Sequence, residues 1–391
     1  MHPFMNATTK NDLTVESRTG TDAIRTPIHT QAGRTGVLAG ITGRLFALTT
    51  ITVVFGLFIM GCGGSHTTFA PTKGGGTPGT AIFIGSSIGG DTQGKANVCA
   101  KCHASTVADI MTQAHGLDFT KINMGANNLG KSPACLPCHV TGYQDPNGWK
   151  DPATTPQLEN IGCEDCHGAG SLHAGSPSGG NITGMPDAKK TCWSCHVSEY
   201  KQIDENPGPM TADQLKKAGL SSGPHHPQTL ELLGMLGYER PNQPSPHSLI
   251  NNTCVACHIN PVKDPTDGHV KHDAAFIHGN PTTCAGCHGD AGTLMTNYQT
   301  EIKQKLIALG GESAPGSGIP DSNAKGGLLA QYATAHSITA TSDPNDPAVI
   351  AYKGARYNYN YIIADKSFGV HNPPYTEELI TDANGLLSQA P

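Results

Sequence analysis

The chain has 391 residues, of which 37% are hydrophobic and 5% aromatic, with 48 glycines, 28 prolines and a formal net charge of −6. So few apolar side chains make a poor recipe for ordinary cores, because about 1–2 kcal/mol of conformational entropy per ordered residue has to be offset by burial. The mildly acidic balance argues against a nucleic-acid binder and leaves open a basic protein or a metal oxide as partner.

Residues 1–61 read as a leader. Arg25, Arg34 and Arg44 precede the apolar run from Leu45 to Met60, which stops at Gly61-Cys62-Gly63-Gly64. The run falls short of the roughly 20 residues that a spanning helix needs, and small residues beside a cysteine resemble a lipoprotein signal peptide. Cys62 is the expected lipidation site, since its thiol can take a diacylglyceryl group and hold the mature chain to a membrane at about 0.8 kcal/mol per buried CH₂. An uncleaved anchor or a misplaced start codon leads to the same consequence, export. Gly63 rather than an acidic residue after Cys62 resembles sorting to the outer membrane, facing periplasm or cell surface. Residues 62–96, rich in Gly, Ser and Thr, are predicted to form a lipidated flexible tether.

Twelve of the thirteen cysteines then fall into six pairs, each with two residues between and a histidine directly after: Cys99/Cys102-His103, Cys135/Cys138-His139, Cys163/Cys166-His167, Cys192/Cys195-His196, Cys254/Cys257-His258 and Cys284/Cys287-His288. Two cysteines three apart share one face of a helical turn, where both thiols can add to the vinyl groups of one haem while the next residue turns its imidazole to the iron. Disulfides or four-ligand zinc sites would fit the even count, but neither requires the histidine. Six such histidines by chance would be a roughly one-in-10⁸ coincidence, so the c-type haem signature is preferred and six covalently bound haems are expected. The spacing suggests a four-haem module over 97–200, a connector over 201–250 supplying distal ligands, and a two-haem module over 251–290.

A haem that only transfers electrons keeps its iron six-coordinate, so the remaining histidines matter most. His115 follows the first attachment site on a helical stretch, and His173 follows the third after glycines that let backbone approach a porphyrin closely. Pro224-His225-His226-Pro227 supplies one ligand, from either histidine. His247 and His278 lie just upstream of the fifth and sixth sites, His269, His272 and His278 compete for one role, and His371 is a long-range ligand near the C-terminus. His336 reads as a solvated histidine. The metal-ligating set is therefore His103, His139, His167, His196, His258, His288, His115, His173, His225, His226, His247, His269, His278 and His371.

Residues 291–391 read as a C-terminal helical segment with a distal haem ligand. Leu294, Tyr298, Ile302, Leu306 and Leu309 recur at helical spacing until Gly310-Gly311. A second helix is predicted over Pro347 to about Asp365, its tyrosines Tyr352, Tyr357, Tyr359 and Tyr361 packing rather than carrying redox chemistry. Alternating strand patterns are almost absent, so the fold class is mainly α and irregular, with haems forming the core.

The six attachment sites, the Cys163–His173 segment, and the run from Ala355 to Asp365 leading into Gly369-Val370-His371-Asn372-Pro373 resemble the multihaem c-type cytochromes of anaerobic respiration. These include tetrahaem nitrification-type cytochromes and the surface cytochromes of metal-reducing bacteria. The resemblance spans about residues 97–380 and implies distal histidines from remote segments and haems in alternating parallel and perpendicular pairs. Six sites rather than four, and the unfamiliar connector, depart from it. The expected function is electron transfer along a haem chain in anaerobic or extracellular respiration, with redox proteins, a metal oxide or another cytochrome as partners. Alternatives are an oxidoreductase acting on a small nitrogen or sulfur oxyanion at one open haem, and a subunit of a conductive filament.

Overall fold

A computed structural model describes residues 81–85, 98–111, 115, 129–175, 188–197, 208–259, 261–263, 265, 270–272 and 279–389. The leader with Cys62, and the candidate ligands His269 and His278, lie outside the described residues. All described residues belong to one unit, residues 64–391.

The N-terminal half is built of short helices: α1 (Ala104–Met111), α2 (Leu136–His139), α3 (Cys163–His167), α4 (Ser171–Gly175) and α5 (Ala188–Trp193). Two further short helices, α6 (Ala212–Lys217) and α7 (Gln228–Leu233), lie in the connector, and α8 (Thr253–His258) and α9 (Pro281–His288) carry the last two cysteine pairs. Between these two, β1 (Pro261–Lys263) and β2 (Val270–His272) pair antiparallel, with Val262 opposite Lys271. Four longer helices close the chain: α10 (Ala291–Gly310), α11 (Gly327–Ala335), α12 (Pro347–Asp365) and α13 (Pro373–Ser388).

The ends of the long helices are written in the sequence. Asp290, Asp346 and Asn372 are N-caps whose side chains accept from Thr293 N at 3.2 Å, Ala348 N at 2.8 Å and Tyr375 N at 3.4 Å, each satisfying a backbone donor of the first turn. Pro347 and Pro373 follow two of these caps, where a missing N–H costs nothing. At the other end of α10 the chain leaves through Gly311 at φ +90°, with its α-carbon so close to Gly326 that a Cβ would lie 2.7 Å from the Gly326 Cα.

Although the whole-chain composition is a poor recipe for an ordinary core, α10–α13 and the connector form a conventional side-chain core. Leu215, Leu230, Leu236, Tyr238, Ile302, Leu306, Leu309, Leu329, Tyr359, Tyr361 and Tyr375 are all buried in it. The composition averages this dense C-terminal third with a sparse N-terminal half, which is why the whole-chain figures concealed it. Buried phenols find partners: Tyr359 donates to Asp321 O at 2.7 Å and Tyr361 to Met235 O at 2.8 Å, while Gly237 N donates to the Tyr375 hydroxyl at 2.7 Å. Lys353 reaches from α12 to donate to the carbonyls of Leu215 and Ala218 at 2.9 and 2.7 Å, tying off the last turn of α6. Leu294, placed by its spacing on the buried face of α10, is instead 52% exposed, because the first turns of that helix extend beyond the core.

A smaller core of Leu136, Val140, Trp149 and Leu158 takes in Phe83. Residues 81–85 are thus docked, which corrects the reading of 62–96 as tether throughout. Glu164 explains it, its buried carboxylate accepting from Ile84 N at 3.0 Å and Gly85 N at 3.1 Å.

Removing buried methylenes from a well-packed core costs about 2–5 kcal/mol for Leu→Ala. Leu306→Ala is expected to lower thermal stability by that order, read from the helical circular dichroism. Leu294→Ala, at the exposed end of the same helix, stays within about 0.5 kcal/mol of the parent.

Candidate functional site

Each Cys-x-x-Cys-His motif sits on or against a helical turn, and the turn is secured by its own neighbours. In α3 the two intervening residues are structural: Glu164 also accepts from Gly170 N at 2.7 Å, and Asp165 accepts from Thr141 Oγ1 at 2.6 Å and Gly162 N at 2.8 Å. Gly168, at φ +77°, reverses the chain directly after His167, so that α4 returns with His173. In α9, Asn280 caps the helix from Thr282 N at 3.0 Å ahead of the cysteines. No disulfide joins any two of the twelve described cysteines.

The imidazoles after the cysteines all face a second imidazole. His103 and His173 have ring centres 6.1 Å apart and nearly parallel, 20° between planes. His167 and His272 are 6.1 Å apart at 7°, His139 and His226 are 6.2 Å apart at 54°, and His196 and His115 are 6.0 Å apart at 71°. His258 and His371 lie 6.1 Å apart at 55°, and His288 and His247 lie 5.9 Å apart at 79°. These separations are too long for ring contact, yet narrowly grouped. Metal–imidazole bonds of roughly 2.0–2.1 Å on opposite sides of one ion would put ring centres about 6 Å apart. The donor set therefore fits an iron porphyrin slotted between each pair.

Several features fix these rings. His247 N donates to Ser245 Oγ at 3.2 Å and its carbonyl accepts from Thr253 Oγ1 at 3.2 Å, joining it to the start of α8. His226 adopts φ +50° between His225 and Pro227, and the strained turn brings it toward both His139 and His196, the latter at 5.8 Å. His225, the more exposed of the two, stands 4.0 Å from His226, and ligand atoms of His139, His225 and His226 lie within 4.8 Å of one another. Burial, then the neighbouring imidazoles, hold His226 down to about 3. Burial likewise lowers His167, with His272, His103 and His173 adding to it, and lowers His196. Neutral imidazole is the ligating form, so these environments favour metal over proton.

His272 was only one of three competitors in the sequence, and its pairing partner His167 is over a hundred positions away. Nothing local marks it. His336 rests on Tyr332 at 4.2 Å, away from the six pairs.

Two family models match the chain, cytochrome c554 and c-prime over residues 98–168 and cytochrome c552 over residues 237–390. The chain is a multihaem c-type cytochrome. It is 25% identical over 336 residues to the C-type polyheme cytochrome OmcB of Geobacter sulfurreducens, covering 73% of this chain and 43% of that protein. It is 26% identical over 85 residues to cytochrome c-554 of Nitrosomonas europaea, covering 18% of this chain and 36% of that one. The cytochrome thus spans less than half the length of these curated relatives. Among solved structures it is similar to the outer cell wall cytochrome OcwA, with TM-score 0.47 and 19% identity over 72% of this chain and 50% of that one. It is also similar to an undecaheme cytochrome from the S-layer of Carboxydothermus ferrireducens, with TM-score 0.41 and 22% identity over 71% and 40%. Among the described residues of the cytochrome, no helix is long and apolar enough to cross a membrane.

The attachment motifs of the cytochrome adjoin one another in an order that differs from chain order. Cys99 neighbours Cys163, as Cys195 does Cys138, Cys192 does Cys254 and Cys257 does Cys284. Cys166 is close enough to Cys192 to act on it electrostatically. The sequence of neighbours runs first, third, fourth, fifth, sixth, with the second branching from the fourth. Cys102 and Cys287, in the two end members, are the exposed cysteines.

Behind His371 lies a buried acidic pair, Asp365 and Glu231. Burial, with the Asp365 charge beside it, pushes Glu231 up to about 8 from the 4.5 of a free glutamate, against a hydrogen bond from Thr376. The folded chain therefore holds a proton that the unfolded chain releases, so stability falls as pH rises from about 4.5 through about 8. Glu231→Gln is expected to flatten that decline in a series of melting temperatures between pH 5 and pH 8.

Proposed function

We propose that the cytochrome is a six-haem electron carrier working at the outer membrane, passing electrons between a redox protein and an extracellular acceptor such as a metal oxide or another cytochrome. In this reading Cys99/Cys102, Cys135/Cys138, Cys163/Cys166, Cys192/Cys195, Cys254/Cys257 and Cys284/Cys287 would hold the haems through thioethers, and His103, His139, His167, His196, His258 and His288 would each supply the first imidazole to an iron. His173, His226, His272, His115, His371 and His247 are the respective second ligands. The observation that carries it is the set of six imidazole pairs about 6 Å apart. An iron closed by two imidazoles exchanges electrons without binding substrate. The bound haem supplies one-electron chemistry, while the chain supplies spacing, burial and ligand orientation.

The adjoining motifs support a row of centres with its ends at the exposed Cys102 and Cys287. A chain entered at one end and left at the other has use for such a row, whereas a single-site oxyanion enzyme does not. Anchoring through a lipidated Cys62 would keep the row beside a membrane without a spanning helix. The relatives' polyhaem character agrees with this reading.

The fully reduced protein is expected to give up one electron per haem to a solid ferric oxide or a small redox dye, followed by its visible spectrum. Nitrite, hydroxylamine and sulfite should leave the spectrum unchanged, and steady turnover of any of them would overturn the carrier reading. A haemochromogen assay should find six haems per chain, and Cys284→Ala/Cys287→Ala should bring the count to five.

A further inference from the structure

The C-terminal end of α12 touches two neighbouring sites in different ways. Gln228 donates through Nε2 to the carbonyls of Ala364 and Asp365, both at 3.2 Å. That arrangement aims its Oε1 at His196 Nδ1, 2.8 Å away. The histidine of the fourth site is thus oriented by a neutral amide. His371 Nδ1 instead lies 2.7 Å from Asp365 Oδ1, a carboxylate whose side chain is 2% exposed. The other carboxylate oxygen accepts from Ser367 N at 3.1 Å and from the Ser367 hydroxyl, which in turn accepts from His371 N at 3.2 Å. A closed loop of hydrogen bonds therefore holds both the carboxylate and the imidazole. With Nδ1 donating to Asp365, Nε2 is the nitrogen of His371 left for a metal shared with His258.

We propose that Asp365 is a tuning residue for the haem held at Cys254, Cys257 and His258, lowering its reduction potential by placing a buried negative charge on its second ligand. A carboxylate hydrogen-bonded to a ligating imidazole raises the basicity of that ligand, and a basic ligand stabilises the oxidised, more positively charged iron over the reduced one. Low dielectric around Asp365 keeps the charge from being screened. At the fourth site the hydrogen-bond partner is the neutral Gln228 and Asp365 acts only from farther off, so the two adjacent sites feel that charge unequally. This rests on the proposed ligation of that haem by His258 and His371.

The hold of Asp365 on the turn at Ser367 offers the purely structural explanation, and Asp365→Asn separates the two. Asparagine retains an acceptor for His371 Nδ1–H and removes the charge. A spectroelectrochemical titration of the purified protein should show one haem of six becoming easier to reduce by about tenfold or more in its reduction equilibrium, 59 mV for one electron. The spread of g-values of one low-spin ferric signal should change with it. Ser367→Ala, which alters the turn but not the charge, should leave all six potentials in place. If Asp365→Asn does not mature, Gln228→Glu supplies the converse: it places a carboxylate on His196 and should make a different haem harder to reduce. Six unmoved potentials in either variant, with the full haem count retained, would overturn the inference while leaving the carrier reading intact. Failure of that reading would appear instead in the parent protein, as a missing six-haem spectrum.

Discussion

Two imidazoles that held one iron between them would keep their ring centres about 6 Å apart, and the chain repeats a separation of that size. Six times, a histidine next to a cysteine pair meets another from elsewhere in the sequence at 5.9 to 6.2 Å. Such spacing is costly for a protein core to maintain by itself, because side chains normally close a gap of that size. Short helices, loops bent by residues such as His226 and Gly168, and buried carboxylates such as Glu164 all serve to hold ring pairs apart and facing each other.

The second constraint is rigidity, and it comes from the C-terminal third. Helices α10 to α13 bury their tyrosines and leucines against one another and against α6 and α7, so the connector is bound to a firm base through Lys353, Asn358 and Tyr375. From that base the chain presents His225, His226, His247 and His371. Three of the six second rings, His226, His247 and His371, thus come from the well-packed part of the molecule, while His115, His173 and His272 come from the sparser segments that also carry the cysteine motifs. The ring pairs are where the two meet, and an electron carrier gains from the small reorganisation that such a rigid frame permits.

What the sequence could disclose was set by how local each feature is. The attachment motifs are five residues long and declare their chemistry outright, and the helix over Pro347–Asp365 is bounded by its own N-cap and C-terminal turn. Pairings are different in kind. His167 with His272 and His258 with His371 join positions over a hundred residues apart, and no spacing rule encodes them. His272 shares its stretch of chain with His269 and His278, and no local feature distinguishes it as the partner of His167. Asp365, Gln228 and Glu231 were invisible for the same reason, being ordinary polar residues until folding places them behind a histidine. The side-chain core went unread because composition was averaged over two unlike halves.

Closure of every proposed iron by two histidines can be read from electron paramagnetic resonance of the purified ferric protein, integrated against the haem count. Low-spin signals are expected throughout, with spectra of paired imidazoles at all six centres. A high-spin signal accounting for one haem in six would show an open iron and contradict it.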